Sequence, residues 1–477
     1  MRSKAGYKVI LWITGLSLLL SAACTKTRVL STGGTLKFSV DTLKFDTVFT
    51  AAGSFTTGLL IYNPQNEEVI ISSIRLQNGA TSYFHLNVDG FSGNNVPNLK
   101  IAPHDSLYVF ATVNINPNDT LTPFIVTDNL IATLNGKDFS IPFTAYGQNA
   151  HYIVSDSFSV ANGPVTNWVT DKPYVVINSM EVGPGATLNI PANCRVYMHQ
   201  NARIFVYGNL NVNGTASDSV VFQGDRLDRA YFGYIGYPGE WGGIEVFPGG
   251  TGNISHAVIK NCGGATGYYN YAIQPAALEV DTEGKLTIDH TIIENSIGYG
   301  ILAWSGKLSA NTCLVQGTGA QALAVIQGGT DSLINCTFAN YGSSVLSHGD
   351  AGTLIVLNYF NEGGGNWAPG NLNGFMENCI VYGSLDSEII CDSLGGATAS
   401  FIMKNCLLSM GNTRESFVHF DHTIFNQDPM FKSNINADFH LTTGSPAIGT
   451  GAGTLPGNDL DNKPWTNPID IGCYTSP

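Results

Sequence analysis

The sequence predicts an all-β protein: a parallel β-helix preceded by a β-sandwich. Three observations lead there. Charged residues make up only 12% of the 477 while Gly numbers 54, and no long stretch carries the apolar period of an amphipathic helix. Between residues 35 and 150, short runs rich in Val, Ile, Phe and Leu alternate with turns. Beyond residue 151, similar segments such as "LINCTFAN", "FMENCIVYG" and "FIMKNCLLSMG" recur at steps of 20 to 34 residues.

The first element, "MRSKAGYKVILWITGLSLLLSAAC", has a basic start, an apolar stretch from Val9 to about Leu20 and small residues before Cys24. It reads as a cleavable export signal over residues 1–23, too short for a membrane span. Ser21-Ala22-Ala23-Cys24 resembles a bacterial lipoprotein signal, although Ser21 stands where that pattern prefers Leu. The resemblance implies lipidation of Cys24 and a membrane partner through the lipid anchor. The expected location is the cell envelope: the outer membrane, facing the cell surface or the periplasm. Residues 24–34 form a linker.

The net charge is -14, and without residues 1–23 there are 19 basic against 36 acidic side chains, or -17. Such a chain repels phosphates, so nucleic acid is not a partner.

Residues 35–150 contain about seven apolar runs, among them "TTGLLIYNPQ", "EVIISSIRLQ" and "LKIAPHDSLYVFATVNINP". That number and spacing predict an Ig-like β-sandwich without the Cys pair and Trp of true immunoglobulin domains. Nothing in it looks catalytic. The stretch resembles the Ig-like modules of bacterial surface proteins, which implies a spacer or a binding platform.

Residues 151–425 carry the repeat. Aligning its segments gives one column, His256, His290, Asn311, Asn335, Asn358, Asn378 and Asn405, with Asn209 fitting upstream. Most steps are near 23 residues, enough for two or three short strands per coil. The column residue is expected at a bend, where Asn tolerates a left-handed backbone. Coils stack about 4.8 Å apart, so equivalent Asn side chains are expected to form a ladder. The next column, Ala257, Thr291, Thr312, Cys336, Tyr359, Cys379 and Cys406, is expected to point inward. Cys would act there as a compact hydrophobe and stay a free thiol. About ten coils are expected.

"GATLNIPANCRVYMHQNARIFVYGNLNVNGT" followed by "PGEWGGIEVFPGG" resembles the opening of right-handed parallel β-helix lipoproteins of Bacteroidetes-type bacteria. The implied fold is a right-handed, pectate-lyase-like solenoid. Residues 426–477, with "DPMF", "SPAI", "DLD" and "DIG", resemble the module that follows such helices, and are expected to cap the open end of the stack. Asp459, Asp461 and Asp470 are weak candidates for a metal there; their other reading is loop ordering.

Many enzymes of this fold cleave polysaccharides, so acids and bases matter. A uronate lyase commonly needs an Arg or Lys base, and no Arg lies between Arg229 and Arg414. A glycosidase needs two carboxyls about 5–9 Å apart. Outward acids in this region are Glu245, Glu279, Asp281, Glu283, Asp289 and Glu294, of which Glu245, Asp281 and Asp289 are the catalytic candidates. Aromatic residues gather nearby in "RAYFGYIGYPGEWGG" and "GYYNYAI", and Tyr268, Tyr269, Tyr271, Trp304 and Trp367 are the candidates for stacking on sugar rings. No cofactor is called for; calcium is left open. The sequence thus favours a lipid-anchored scaffold that binds a glycan or another surface ligand without catalysis. The alternative is a polysaccharide lyase or glycoside hydrolase acting through acids on the helix face.

Overall fold

The computed structural model describes residues 28–118, 120–159, 163–227, 236–264, 275–342, 345–412, 414–453 and 457–476. The signal segment and Cys24 lie outside them. The protein is all-β, a parallel β-helix after a β-sandwich, and divides into two units between Gln148 and Asn149.

The first unit packs two five-stranded sheets. One holds, in spatial order, Lys37–Phe38, Thr57–Tyr62, Ser106–Val113, Phe84–Val88 and Phe91–Ser92; the other holds Leu43–Phe49, Lys137–Gln148, Phe124–Leu134, Val69–Leu76 and Asn95–Ile101. Ten strands thus stand where about seven were expected, and two of them are only two residues long. Strict alternation turns one face of each strand inward, where Phe45, Phe84 and Phe143 form the centre with ring centroids 5.4 to 6.3 Å apart. The "YNP" turn has a structural use. Asn63 is buried and its Nδ2 donates to the carbonyls of Glu67, Ile101 and Ala102, closing two loops at once.

In the second unit the chain winds into ten coils among the described residues, each giving one strand to a ten-stranded sheet running from Val165–Asn167 to Val418–Asp421. The other strands of each coil enter a long eighteen-stranded sheet. Pairing is parallel between coils throughout, so like positions stack. Ile190, Val212, Ile254, Ile288, Ala310, Leu333, Met376 and Met403 make one continuous inner column.

The bend column exists, with corrected membership. His256, His290, Thr312, Asn335, Asn378, Asn405 and His422 all have φ between 44 and 54°. Each of the first six donates its N–H to the next coil, as Asn335 does to the Glu377 carbonyl at 3.0 Å and Asn378 to that of Lys404 at 3.1 Å. Asn311 precedes the bend by one residue, because its coil is offset and Thr312 takes the corner. Asn358 is not in line. It follows Leu354–Leu357 of the long sheet, and its amide pairs with the backbone of Leu394. Asn335 and Asn378 are direct neighbours, 43 residues apart, because this coil carries a hairpin of Tyr359–Gly363 and Asn366–Pro369. Asn209 opens its strand instead of following it. The amide ladder at the corner is therefore one step, Asn378 Nδ2 to Asn335 Oδ1 at 3.0 Å. A longer one that the column did not anticipate runs Asn253, Asn211, Asn189, Asn167 on the ten-stranded sheet, at 3.0, 2.8 and 2.7 Å.

The inward residue after the first six bends is Ala257, Thr291, Cys313, Cys336, Cys379 or Cys406, all buried, and Thr423 after the seventh is half-buried. Cys313 and no residue replace the expected Thr312 and Tyr359. Each of these hydroxyls and thiols donates to the carbonyl two residues back, at 3.0 to 3.3 Å. That local bond and the small volume explain why Asn-Cys recurs, and the four cysteines are free thiols.

The segment from residue 426 onward was expected to close the end of the stack; its contacts run instead along the flank of the coils. Leu441, Ala447 and Ile471 pack on Ile380 and Leu407, while Phe439, Cys473 and Tyr474 pack on Leu314 and Ala339. Asn378 grips the backbone of Ala452 in both directions, at 2.8 and 3.0 Å.

One core position departs from the apolar pattern. Asp331 lies in an inner column between Leu308 and Gly374, and its buried carboxyl oxygens have no hydrogen-bond partner among the described residues. Burial raises its pKa to about 8. The folded state then keeps a proton that the unfolded chain loses near pH 4, so stability falls as pH rises from about 4 to 8, by about 1.4 kcal/mol per unit from this group. Asp331→Asn is expected to flatten that slope. Denaturant unfolding at several pH values, followed by tryptophan fluorescence, tests it; equal slopes in both proteins would refute it.

Candidate functional site

The outward face of the long sheet forms a grid. Alternation along a strand places i and i+2 on one face, and parallel register stacks the rows. One coil presents Arg203, Phe205 and Tyr207; the next Gly243, Glu245 and Phe247; the next Glu279 and Asp281; the next Leu302 and Trp304. Glu245 and Glu279 face each other across neighbouring coils, with Asp281 two residues from Glu279. One oxygen from each lies within 4.8 Å of the others. Sequence reasoning named Glu245 and Asp281 and weighed Glu279. It missed Arg203.

Arg203 is fully buried, with Nη1 3.5 Å from Glu245 Oε2 and Nη2 donating to the Gly264 carbonyl at 3.2 Å. The Trp-Gly-Gly motif makes room for it. A Cβ on Gly242 would sit 2.2 Å from Arg203 Cγ, and Gly243 occupies the next rung with φ of 123°. Trp241 is buried beside them, and its indole donates to the Lys260 carbonyl at 2.9 Å. The signal for Arg203 was a lone Arg inside the apolar run "ARIFV" opposite a Gly-Gly pair, hidden by the 40 residues between them.

Three carboxyls this close, two of them buried and Asp281 half-buried, cannot all ionise. Burial raises the Asp281 carboxyl to about 6. Burial first, then the charges of Glu245 and Asp281, hold Glu279 well above the usual carboxylate range. Glu245 is also raised by burial, against the pull of Arg203. At neutral pH the cluster thus offers a protonated donor beside a carboxylate acceptor, the arrangement that general acid–base chemistry uses. The same oxygens are hard donors of the kind calcium takes, but among the described residues three carboxyls converge and Arg203 already supplies a positive charge.

Rings flank the cluster. Tyr207 and Phe247 stack at 4.3 Å on the side of the preceding coils. Trp304 follows on the next coil, with its Nε1 donating to Gln327 Oε1 at 2.9 Å and Phe360 of the hairpin 4.3 Å from its ring. Trp367 lies on the same hairpin, half exposed and edge-on to Tyr359 at 5.3 Å. Tyr268, Tyr269 and Tyr271 lie outside the described residues.

Asp289 is elsewhere, at the bend with His256 and His290. Its Oδ2 meets His290 Nδ1 at 2.9 Å and its Oδ1 accepts from Asn311 Nδ2 at 2.8 Å. His290 Nε2 donates to the Asn458 carbonyl at 3.0 Å. Both ring nitrogens of His290 thus face acceptors, which favours the imidazolium and, despite burial, raises its pKa. The two histidine rings are parallel within 5° at 4.7 Å, so their in-plane lone pairs run side by side and do not converge on a metal. Asp289 is therefore placed to hold the C-terminal segment through His290 and stands apart from the carboxyl trio.

Asp459, Asp461 and Asp470 do not converge either. Asp459 accepts from Lys463 N and from the Thr475 N–H and hydroxyl; Asp470 accepts from Gly449 N and Ser476 N. Asp461 pairs with His440 and Lys463. All three order the loops of the flanking segment.

No protein-family model and no curated protein matches the chain. Among solved structures, a family 123 glycoside hydrolase from Clostridium perfringens aligns over 26% of this chain and 30% of its own, at 10% identity and a TM-score of 0.19. The match thus spans under a third of that enzyme. The ASH/PapD-like domain 7 of human CEP192 aligns over 24% of this chain and 87% of its own, at 10% identity and 0.17. The Agl-KA catalytic domain aligns over 78% and 79%, at 11% identity and 0.24. All three TM-scores lie below 0.5, and no functional conclusion rests on them.

Removing Arg203 leaves buried acids without their counter-charge. Arg203→Met is expected to cost about 3–5 kcal/mol at pH 8. The cost should be smaller at pH 5, where the acids can take up protons in the folded state. Urea unfolding at the two pH values checks this; a loss independent of pH would show that packing, not charge, is what Arg203 supplies.

Proposed function

We propose that the protein is a lipid-anchored envelope protein that binds a neutral glycan on the long sheet of its β-helix, over the carboxyl trio and the rings beside it. The observation that carries this reading is the grid itself: Glu245, Glu279 and Asp281 meet on adjoining coils, with Tyr207 and Phe247 on one side and Trp304 on the other. Carboxyl groups in both protonation states can accept from and donate to sugar hydroxyls, and ring faces take the apolar CH faces of pyranoses. A net charge of -14 and an acidic centre disfavour uronates and other polyanions. Lipid on Cys24 would hold the chain at the outer membrane, on its cell-surface or periplasmic side.

A second reading, hydrolysis of the bound glycan, is favoured by one observation. The trio's oxygens lie within 4.8 Å, near the roughly 5 Å separation of acid and nucleophile in retaining glycosidases.

A soluble chain lacking residues 1–24, applied to a glycan array with analysis of products, tests both. Binding of neutral glycans that falls at least about tenfold in Glu279→Gln and in Trp304→Ala is the expected result, tenfold being 1.4 kcal/mol. New reducing ends that disappear in Glu245→Gln would select the hydrolase. Neither binding nor products would leave the protein as a spacer. The anchor has its own test: Cys24→Ser in the full chain is expected to abolish fatty-acid labelling and move the protein out of the membrane fraction.

A further inference from the structure

We propose a second glycan-binding site, on the β-sandwich, independent of the β-helix reading. Strand Ser106–Val113 buries Leu107, Val109, Ala111 and Val113 and turns Tyr108 and Phe110 outward, 56% and 42% exposed. The two rings are parallel within 5°, with centroids 5.7 Å apart. Phe110 pairs with Gly58 on one side, where a Cβ would come within 3.0 Å of its Cδ1, so the ring leans over bare backbone. On the other side Phe110 pairs with Asn87, and Thr112 with His85.

Phe110, Asn87, Thr112 and His85 border an open cleft of about 700 Å³ that also takes in Thr56 and Ser92, and Tyr108 extends the aromatic surface beside Phe110 outside the cleft lining. That is a common size for a small-ligand site. The residues lining it include no Asp, Glu, Lys or Arg, in a chain of net charge -14. The ligand is therefore uncharged. The Asn87 amide is held in place, its Oδ1 accepting from Gly90 N at 3.0 Å and its Nδ2 reaching Ser92 Oγ at 3.4 Å. A pre-set amide, hydroxyls and an imidazole beside parallel exposed rings match the alternating hydroxyl edges and CH faces of a neutral oligosaccharide. The rings supply contact area at small entropy cost, having only two χ angles each.

Affinity electrophoresis of the soluble chain through gels containing hydroxyethylcellulose, xylan, galactomannan or glycogen tests this. At least one gel is expected to retard the protein. Tyr108→Ala/Phe110→Ala should weaken at least tenfold the retardation that persists in Glu279→Gln, the variant that disables the β-helix site. Both side chains are exposed, so the fold should survive, and circular dichroism checks it. Asn87→Ala gives a milder second variant. No retardation in any gel overturns the proposal. So does retardation unchanged in the double variant, or lost only in Glu279→Gln, which would place binding on the β-helix alone. A concentration-dependent dimer that the double variant abolishes, without retardation, would assign the face to a second copy of the chain and overturn it equally.

Discussion

The β-helix depends on a single backbone constraint repeated at each coil. At the bend the chain must take a left-handed conformation, so that the corner N–H points along the stack and donates to the coil above. For most side chains that conformation costs about 1–2 kcal/mol. Asn, His and Thr occupy the corner here because short polar or planar side chains can bond locally. Ser255 Oγ meets His256 Nδ1 at 2.8 Å, and Asn378 grips Ala452. Once the corner is set, the next residue turns inward, where a compact group fits. Thr291 and the four cysteines also bond their own backbone there, and Ala257 fills the place by size alone.

Strict register has a second consequence. Any outward residue gains neighbours about 4.8 Å above and below and two residues along. Acids far apart in sequence are thereby forced together. Glu245 and Glu279 are 34 residues apart, yet they occupy adjacent squares of the grid. Their repulsion is relieved in two ways, by proton retention and by Arg203. Glycine on the intervening rung is what lets the arginine reach across, so the Trp-Gly-Gly motif serves the acidic site as well as the coil.

Much of this was legible in the residues. The period and the Asn-Cys pairs predicted a solenoid and an inward cysteine column because side-chain size and backbone preference act locally. Column membership failed wherever a coil changed length: one residue displaced Asn311, and a hairpin made Asn358 look like a corner. Residue type alone cannot distinguish an Asn that bends the chain from one that ties a strand end to Leu394. Glu245 and Asp281 could be named as outward acids, but Arg203 could not, since its partner is set by a 40-residue step through an insertion. The path of the C-terminal segment was hidden for a related reason. Leu441, Ala447 and Ile471 advertise burial, while the sequence holds no record of which surface receives them.

That path bears on the site. The C-terminal segment covers the outward positions on one face of the coils, including Leu314, Ile380 and Leu407. The hairpin lies against Trp304 on another. The ten-stranded sheet is left with a polar amide ladder and, in its outer columns, Lys285, Lys307 and Lys404 together with Asp289, Glu377 and Asp421. Of the three faces, one is taken up by the chain itself and one is a polar wall of amides and mixed charges. Among the described residues, the face holding Glu245, Glu279 and Asp281 joins buried titratable groups to aromatic surface. That combination is the reason the proposed glycan site is set on this face.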